Sequence, residues 1–128
     1  MVFKKILKKI SKQPRKQRFA RYNAELHEKG KFLSINLIKD LRIKHKKRNI
    51  RVKKGDKVKI MRGNFKGKEG NVSKVDIKKE RIYVEGIDLI KKDGTKIPKY
   101  FQASNLMIIS LNLTDKKRKA KLGGKLND

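Results

Sequence analysis

The chain has no cysteine, no tryptophan and only two prolines in its 128 residues, and it is poor in acidic side chains. Without thiols it forms no disulfide, offers no thiolate nucleophile and builds no cysteine–metal site, and a reducing compartment is compatible with it. Its 12 Asp and Glu are sparse and mostly lie beside turn residues, so paired carboxylates for acid–base chemistry are not supported. His27 and His45 are the only histidines and have no cysteines to complete a zinc set. No catalytic residue, metal or cofactor is therefore expected. Long hydrophobic runs are missing too: Leu106-Met107-Ile108-Ile109 is the longest and is far too short to span a bilayer. At the N-terminus, lysine pairs interrupt the apolar residues, unlike the apolar stretch of a signal peptide. A cytoplasmic protein without stable membrane insertion is expected.

What the chain has in abundance is positive charge. Its 39 Lys and Arg leave a net charge of +27. Self-repulsion of this size calls for a polyanionic partner, nucleic acid first and anionic membrane second. The charge is uneven: residues 1–54 carry +17, residues 55–110 carry +6 and residues 111–128 carry +4. This distribution predicts a basic N-terminal extension with short helices over 1–49, a globular unit over 50–112 and a basic tail over 113–128.

Phe3, Ile6, Leu7 and Ile10 recur at helical spacing between lysines and predict a short amphipathic helix that Pro14 ends, with Gln13 to Arg18 extended. A helix over Ala24 to Phe32 follows, weakened by Gly30. Ser34 is read as the N-cap of another helix reaching Lys44, because Leu37, Ile38 and Leu41 share a face. Lys44 to Arg48 then puts cations at its negative end. The period next switches to two. Val58 and Ile60 mark a strand, Val72 and Val75 a second with a bulge, and Ile82 and Val84 a third. Asp93-Gly94 signals a hairpin turn leading to Thr95–Phe101, where Pro98 predicts an edge strand. Met107, Ile109 and Leu111 mark the last strand. Five short strands with tight turns fit a small barrel, so the fold class is mainly β. From Thr114 onward the charged, glycine-containing tail is expected to be disordered when free.

Between the first two of these strands lies Arg62-Gly63-Asn64-Phe65-Lys66-Gly67-Lys68-Glu69-Gly70. The glycines suit a tight turn. Arg62, Lys66 and Lys68 surround Phe65, a combination suited to phosphate contact with base stacking, although the ring can equally cap the barrel core. The stretch fails as a phosphate-binding P-loop: Gly63 and Gly67 enclose three residues rather than four, and Glu69 follows Lys68 where Ser or Thr is needed. Asp56 is read as a turn or cap residue.

Gly55-Asp56, Val58, Ile60, Gly63, Lys66-Gly67, Gly70, Val72, Val75 and Val84-Glu85-Gly86 resemble a KOW motif. Together with Leu37 to Arg42, Arg51 to Asp56, Ile82 to Gly86, Asp93-Gly94-Thr95 and Ser104-Asn105, they resemble the archaeal/eukaryotic branch of the universal large-subunit ribosomal protein number twenty-four family over roughly residues 15–118. The resemblance implies an SH3-like barrel bound to the 5′ domain of large-subunit rRNA, early action in subunit assembly and a position beside the nascent-chain exit. It also implies neighbouring ribosomal proteins as partners and no free homo-oligomer. The RNA-binding residues expected are Arg62, Asn64, Phe65, Lys66 and Lys68 in the loop, Arg15, Lys16, Arg18 and Arg21 in the arm, and Lys46, Lys47 and Arg48. Solvated surface is the ordinary fate of any one of these lysines; the clusters are what favour RNA. An alternative reading is a KOW-type transcription regulator bound to RNA polymerase, but this would call for a larger upstream domain and a less basic surface. A membrane-surface protein held by its first residues is a third. The Val2–Ile10 segment is also a candidate contact with a neighbouring protein.

Overall fold

The computed structural model describes residues 11–123. The helix read over Phe3 to Ile10 lies outside this range. Seven strands carry the fold: β1 Ser34–Leu37, β2 Asn49–Arg51, β3 Lys57–Ile60, β4 Glu69–Asp76, β5 Arg81–Ile90, β6 Lys96–Phe101 and β7 Leu106–Ser110. They hydrogen-bond in the order β2-β1-β7-β3-β4-β5-β6. Every pairing is antiparallel except that between β1 and β7.

Apolar side chains from six of these strands, including Ile35, Leu37, Val58, Ile60, Val72, Ile82, Val84, Phe101, Leu106 and Ile108, meet in a single core cluster. A sheet whose strands all feed one cluster has to roll up, and the result is a small SH3-like barrel. One device that bends it is a β-bulge in β4. Val72 faces Val84 and Lys74 faces Tyr83, so Ser73 is the extra residue, and its hydroxyl donates to the Tyr83 carbonyl at 3.2 Å. The Asp93-Gly94 turn joins β5 to β6, with Thr95 N–H donating to the Asp93 carboxylate at 2.9 Å. These hydrogen bonds from Thr95 hold the Asp93 carboxyl below its ordinary value. β6, with Pro98, ends the sheet as an edge strand.

The five barrel strands lie where alternation placed them, with one slip of phase. In β7 the buried residues are Leu106 and Ile108 rather than the Met107–Ile109–Leu111 set. Four continuous apolar residues do not say which pair faces inward, and a shift of one residue exchanges the two faces.

Among the described residues, four short α-helices flank the barrel: α1 Pro14–Tyr22, α2 Leu26–Phe32, α3 Lys39–His45 and α4 Lys116–Lys121. Three of them correct the sequence reading. Pro14 opens α1 instead of ending a helix, because at the first helical position its missing N–H would have had no partner anyway. Residues 14–18 are thus helical, not extended. Ser34 caps no helix; it begins β1, where Ile35 and Leu37 are fully buried and alternate with Ser34 and Asn36. The inward-facing period of two won over the face shared by Leu37, Ile38 and Leu41, and the helix starts only at Lys39 with Ile38 as its N-cap. Within the tail, Lys116–Lys121 form α4, whose N-cap Asp115 accepts from Lys117 N–H at 3.0 Å.

Candidate nucleic-acid interface

The loop between β3 and β4 is a closed backbone unit. Gly67 N–H donates to Ile60 C=O at 2.8 Å, and Ile60 N–H donates to Lys68 C=O at 2.9 Å. Gly63 and Gly67 have φ of +94° and +87°, a conformation that side chains with a Cβ rarely adopt, so they set the loop's shape. That shape turns Phe65 inward: its half-buried ring meets Phe101 edge-on, with centroids 6.3 Å apart. The Lys68 ammonium covers it at 5.2 Å from the ring centroid. Phe65 therefore caps the core, and the exposed polar side chains of the loop are Arg62, Asn64, Lys66 and Lys68. Beside the loop lies a cleft of about 480 Å³, lined among others by Arg62, Asn64, Phe65, Lys99, Tyr100 and Gln102.

On α1, the Arg15, Lys16 and Arg18 side chains are exposed and the helix buries no residue. Arg21 behaves differently. It forms a two-nitrogen contact with the Glu80 carboxylate, and its guanidinium lies 4.9 Å from the Phe32 ring centroid. Glu80 occupies the β4–β5 turn at φ +54°, a left-handed conformation unusual for Glu. Arg21 is thus the point at which the arm is fastened to the barrel. Around this bridge is a second cleft, of about 520 Å³, lined by Arg21, Phe32, Asn36, Arg81, Tyr100 and Gln102 among others. Tyr100 and Gln102 line both clefts, so the loop and the arm, 41 residues apart between Arg21 and Arg62 in the chain, border one continuous surface.

Lys46, Lys47 and Arg48 are exposed between α3 and β2, and Lys47 ties this turn to the C-terminal helix: its Nζ donates to the Lys121 carbonyl, and His45 Nδ1 lies 3.3 Å from the Leu122 carbonyl. What fixes α4 there is a buried ion pair. Asp56 is 0% exposed and Arg118 4%, and the guanidinium grips both carboxylate oxygens at 2.6 Å. Asp56 also accepts from Lys53 N–H at 2.8 Å and Asn112 N–H at 2.9 Å, while Arg118 donates to Asn112 C=O at 2.8 Å. The turn role read for Asp56 is real, through Lys53, but its larger role is to hold the C-terminal helix. Lys53 reaches Asp115 alongside, and that hydrogen bond lowers the Asp115 pKa. Lys53, Lys54, Lys117 and Lys121 line a third cleft, of about 480 Å³, between the barrel and α4.

The sequence reading missed Arg81, Lys99 and Tyr100. The Arg81 guanidinium lies 4.2 Å from the Tyr100 ring centroid and Lys99 Nζ lies 5.5 Å from it. No motif marks them; the pairing of β5 with β6 brings Arg81 to Tyr100 across a chain separation of 19 residues. Among the described residues no cluster of His, Asp and Glu is suited to holding a metal ion, and no helix is long and apolar enough to cross a membrane.

A rolled KOW barrel whose clefts are edged with guanidinium, ammonium and aromatic groups defines a class, the small basic β-barrel proteins. The comparisons are more specific. Residues 11–125 match the family model that joins eukaryotic ribosomal protein L26 with its archaeal L24-type counterpart, and the chain belongs to that family. It is similar to the large ribosomal subunit protein uL24 of Methanoculleus marisnigri, 52% identical over 115 residues that cover 90% of this chain and 95% of the relative. The uL24 of Methanospirillum hungatei is 51% identical over 115 residues, covering 90% and 96%. That of Methanothrix thermoacetophila is 49% identical over 109 residues, covering 85% and 94%.

Proposed function

We propose that this chain is a structural protein of the cytoplasmic large ribosomal subunit, binding the 5′ domain of large-subunit rRNA, acting early in subunit assembly and lying beside the polypeptide exit. Family membership and the names of its relatives support the ribosomal role. The observation that supports RNA as the ligand is the continuous surface running from Arg62 and Asn64 past Tyr100 to Arg21 and Arg81. Arginine forks suit phosphate oxygens and exposed aromatics suit unpaired bases. Arg15, Lys16, Arg18, Lys66 and Lys68 add phosphate contacts at its margins. Lys46, Lys47 and Arg48, joined to the lysines of α4, make a second basic patch for another RNA segment. The barrel supplies the rigid platform, and the basic groups neutralise phosphates of converging RNA helices.

Binding of the purified chain to a 5′-domain rRNA fragment, with unrelated structured RNA as competitor, tests this reading. With 6–10 phosphate contacts, affinity is expected to fall about 10³–10⁵-fold between 50 and 200 mM salt. Neutralising Arg62, Lys66 and Lys68 together should weaken binding and flatten the salt slope by about 0.9 per lost contact. Equal affinity for both RNAs, or a shallow slope, would overturn it.

A further inference from the structure

The cleft around the Arg21–Glu80 bridge has a chemistry that phosphate neutralisation does not explain. At about 520 Å³ it falls in the size range of small-ligand sites. Its lining includes two cation–π pairs, Arg21 over Phe32 and Arg81 over Tyr100, with guanidinium carbons 4.9 and 4.2 Å from the ring centroids. Half-buried Asn36 and exposed Gln102 and Ser104 also line it, and their side chains make no hydrogen bond to another described residue. The one carboxylate, Glu80, is occupied by Arg21, which leaves Lys79 and Arg81 as its uncompensated cations. Amides and a hydroxyl without partners, beside guanidinium and aromatic planes and under surplus positive charge, match the three parts of a nucleotide: base edge, base face and phosphate.

From this we infer that the cleft is a pocket for one unpaired nucleotide, splayed out of the bound RNA. The base stacks against the Arg81–Tyr100 pair, its hydrogen-bonding edge meets Asn36 and Gln102, and its phosphate sits by Lys79 and Arg81. Splayed bases in single-stranded loops are what proteins read in RNA, because the deep groove of an RNA duplex is closed to side chains. The pocket's position gives Glu80 a role in its left-handed turn: by holding Arg21, it keeps that side chain of α1 at the edge of the cleft. This inference deepens the rRNA reading, yet the pocket can be tested without rRNA.

The test is an NMR titration of the full chain with the four nucleoside 5′-monophosphates, and separately with ribose 5-phosphate. Expected are shifts of the Asn36 and Gln102 side-chain amides and the Tyr100 ring, with at least one monophosphate binding about tenfold or more tighter than ribose 5-phosphate. Equal affinity for ribose 5-phosphate would make the cleft a phosphate site and overturn the inference, as would an absence of shifts at these residues. A second measurement uses RNA: Gln102→Ala combined with Ser104→Ala, both at exposed positions, should weaken binding to the 5′-domain fragment severalfold with the salt slope unchanged. Wild-type affinity in that variant would also overturn it. If the pocket takes a monophosphate but the chain does not prefer the 5′-domain fragment, the rRNA reading fails and the pocket stands.

Discussion

The first and last described helices carry charge of the same sign and behave in opposite ways. α1 reads PRKQRFARY and α4 reads KKRKAK; both are short, basic and devoid of acidic residues. α1 buries nothing and is tied to the barrel at its end through the exposed Arg21–Glu80 bridge. α4 buries Arg118, with Leu122 buried immediately after it, and is held by Asp56 from inside the barrel. One carboxylate, placed in a turn where two backbone amides already point at it, converts a basic tail into part of the fold. A charged helix without such an acceptor stays on the surface, where its cations remain available to RNA. Positive charge alone is therefore a poor guide to whether a basic arm joins the core; the position of its counter-charge decides.

Removing that counter-charge should break the comparison most sharply. Asp56→Ala leaves a buried guanidinium unpaired and two amides without an acceptor, and should cost about 3–5 kcal/mol in chemical denaturation, with Arg118→Ala close behind. If either variant unfolds like the wild type, α4 is no more integrated than α1. Next in size is Leu122→Ala, expected to cost about 2 kcal/mol at the lower end of buried leucine truncations, with helical exchange protection of α4 reduced. On the other arm, Glu80→Gln should cost at most about 1 kcal/mol, because Arg21 is largely exposed and the pair is solvent-screened. Its clearer sign would be increased mobility of α1 by NMR relaxation. The smallest effect concerns pH. The Asp115 pKa is lowered, chiefly by the hydrogen bond from Lys53, so the stability this contact contributes is present above the ordinary aspartate value of 3.8 and is lost as pH falls through the lowered value. Asp115→Asn should then lower the melting temperature slightly at pH 7 and not at all once the carboxyl is protonated; an equal deficit at both would assign the effect to helix capping instead.

Much of the barrel was legible because alternation and turn chemistry are local. Val58 and Ile60, the three-residue spacing of Val72 and Val75, the Asp93-Gly94 turn and Pro98 at an edge each state their own geometry. β1 was not legible: Ile35 and Leu37 alternate over only four residues, beside apolar residues that also fit a helical face, and the strand exists because β7 and β2 flank it. The loop was visible as charge with glycine and aromatic punctuation, and the arm and the 46–48 cluster as runs of basic residues. Their grouping was not, since Tyr100 and Gln102 join the first two only through the β5–β6 pairing and the turn after β6.

The sequence by itself determined the chemistry of the protein: an excess of cations with no thiols and few carboxylates, a strand period with glycines at the turn, and a motif order that carries its family. These properties are local or additive, so they survive without coordinates. The tertiary structure alone decided which cations face a common cleft, which terminal helix belongs to the core, and that Asp56 is an anchor. Those depend on contacts between residues tens of positions apart, Asp56 with Arg118 and Arg21 with Glu80, which only folding brings together.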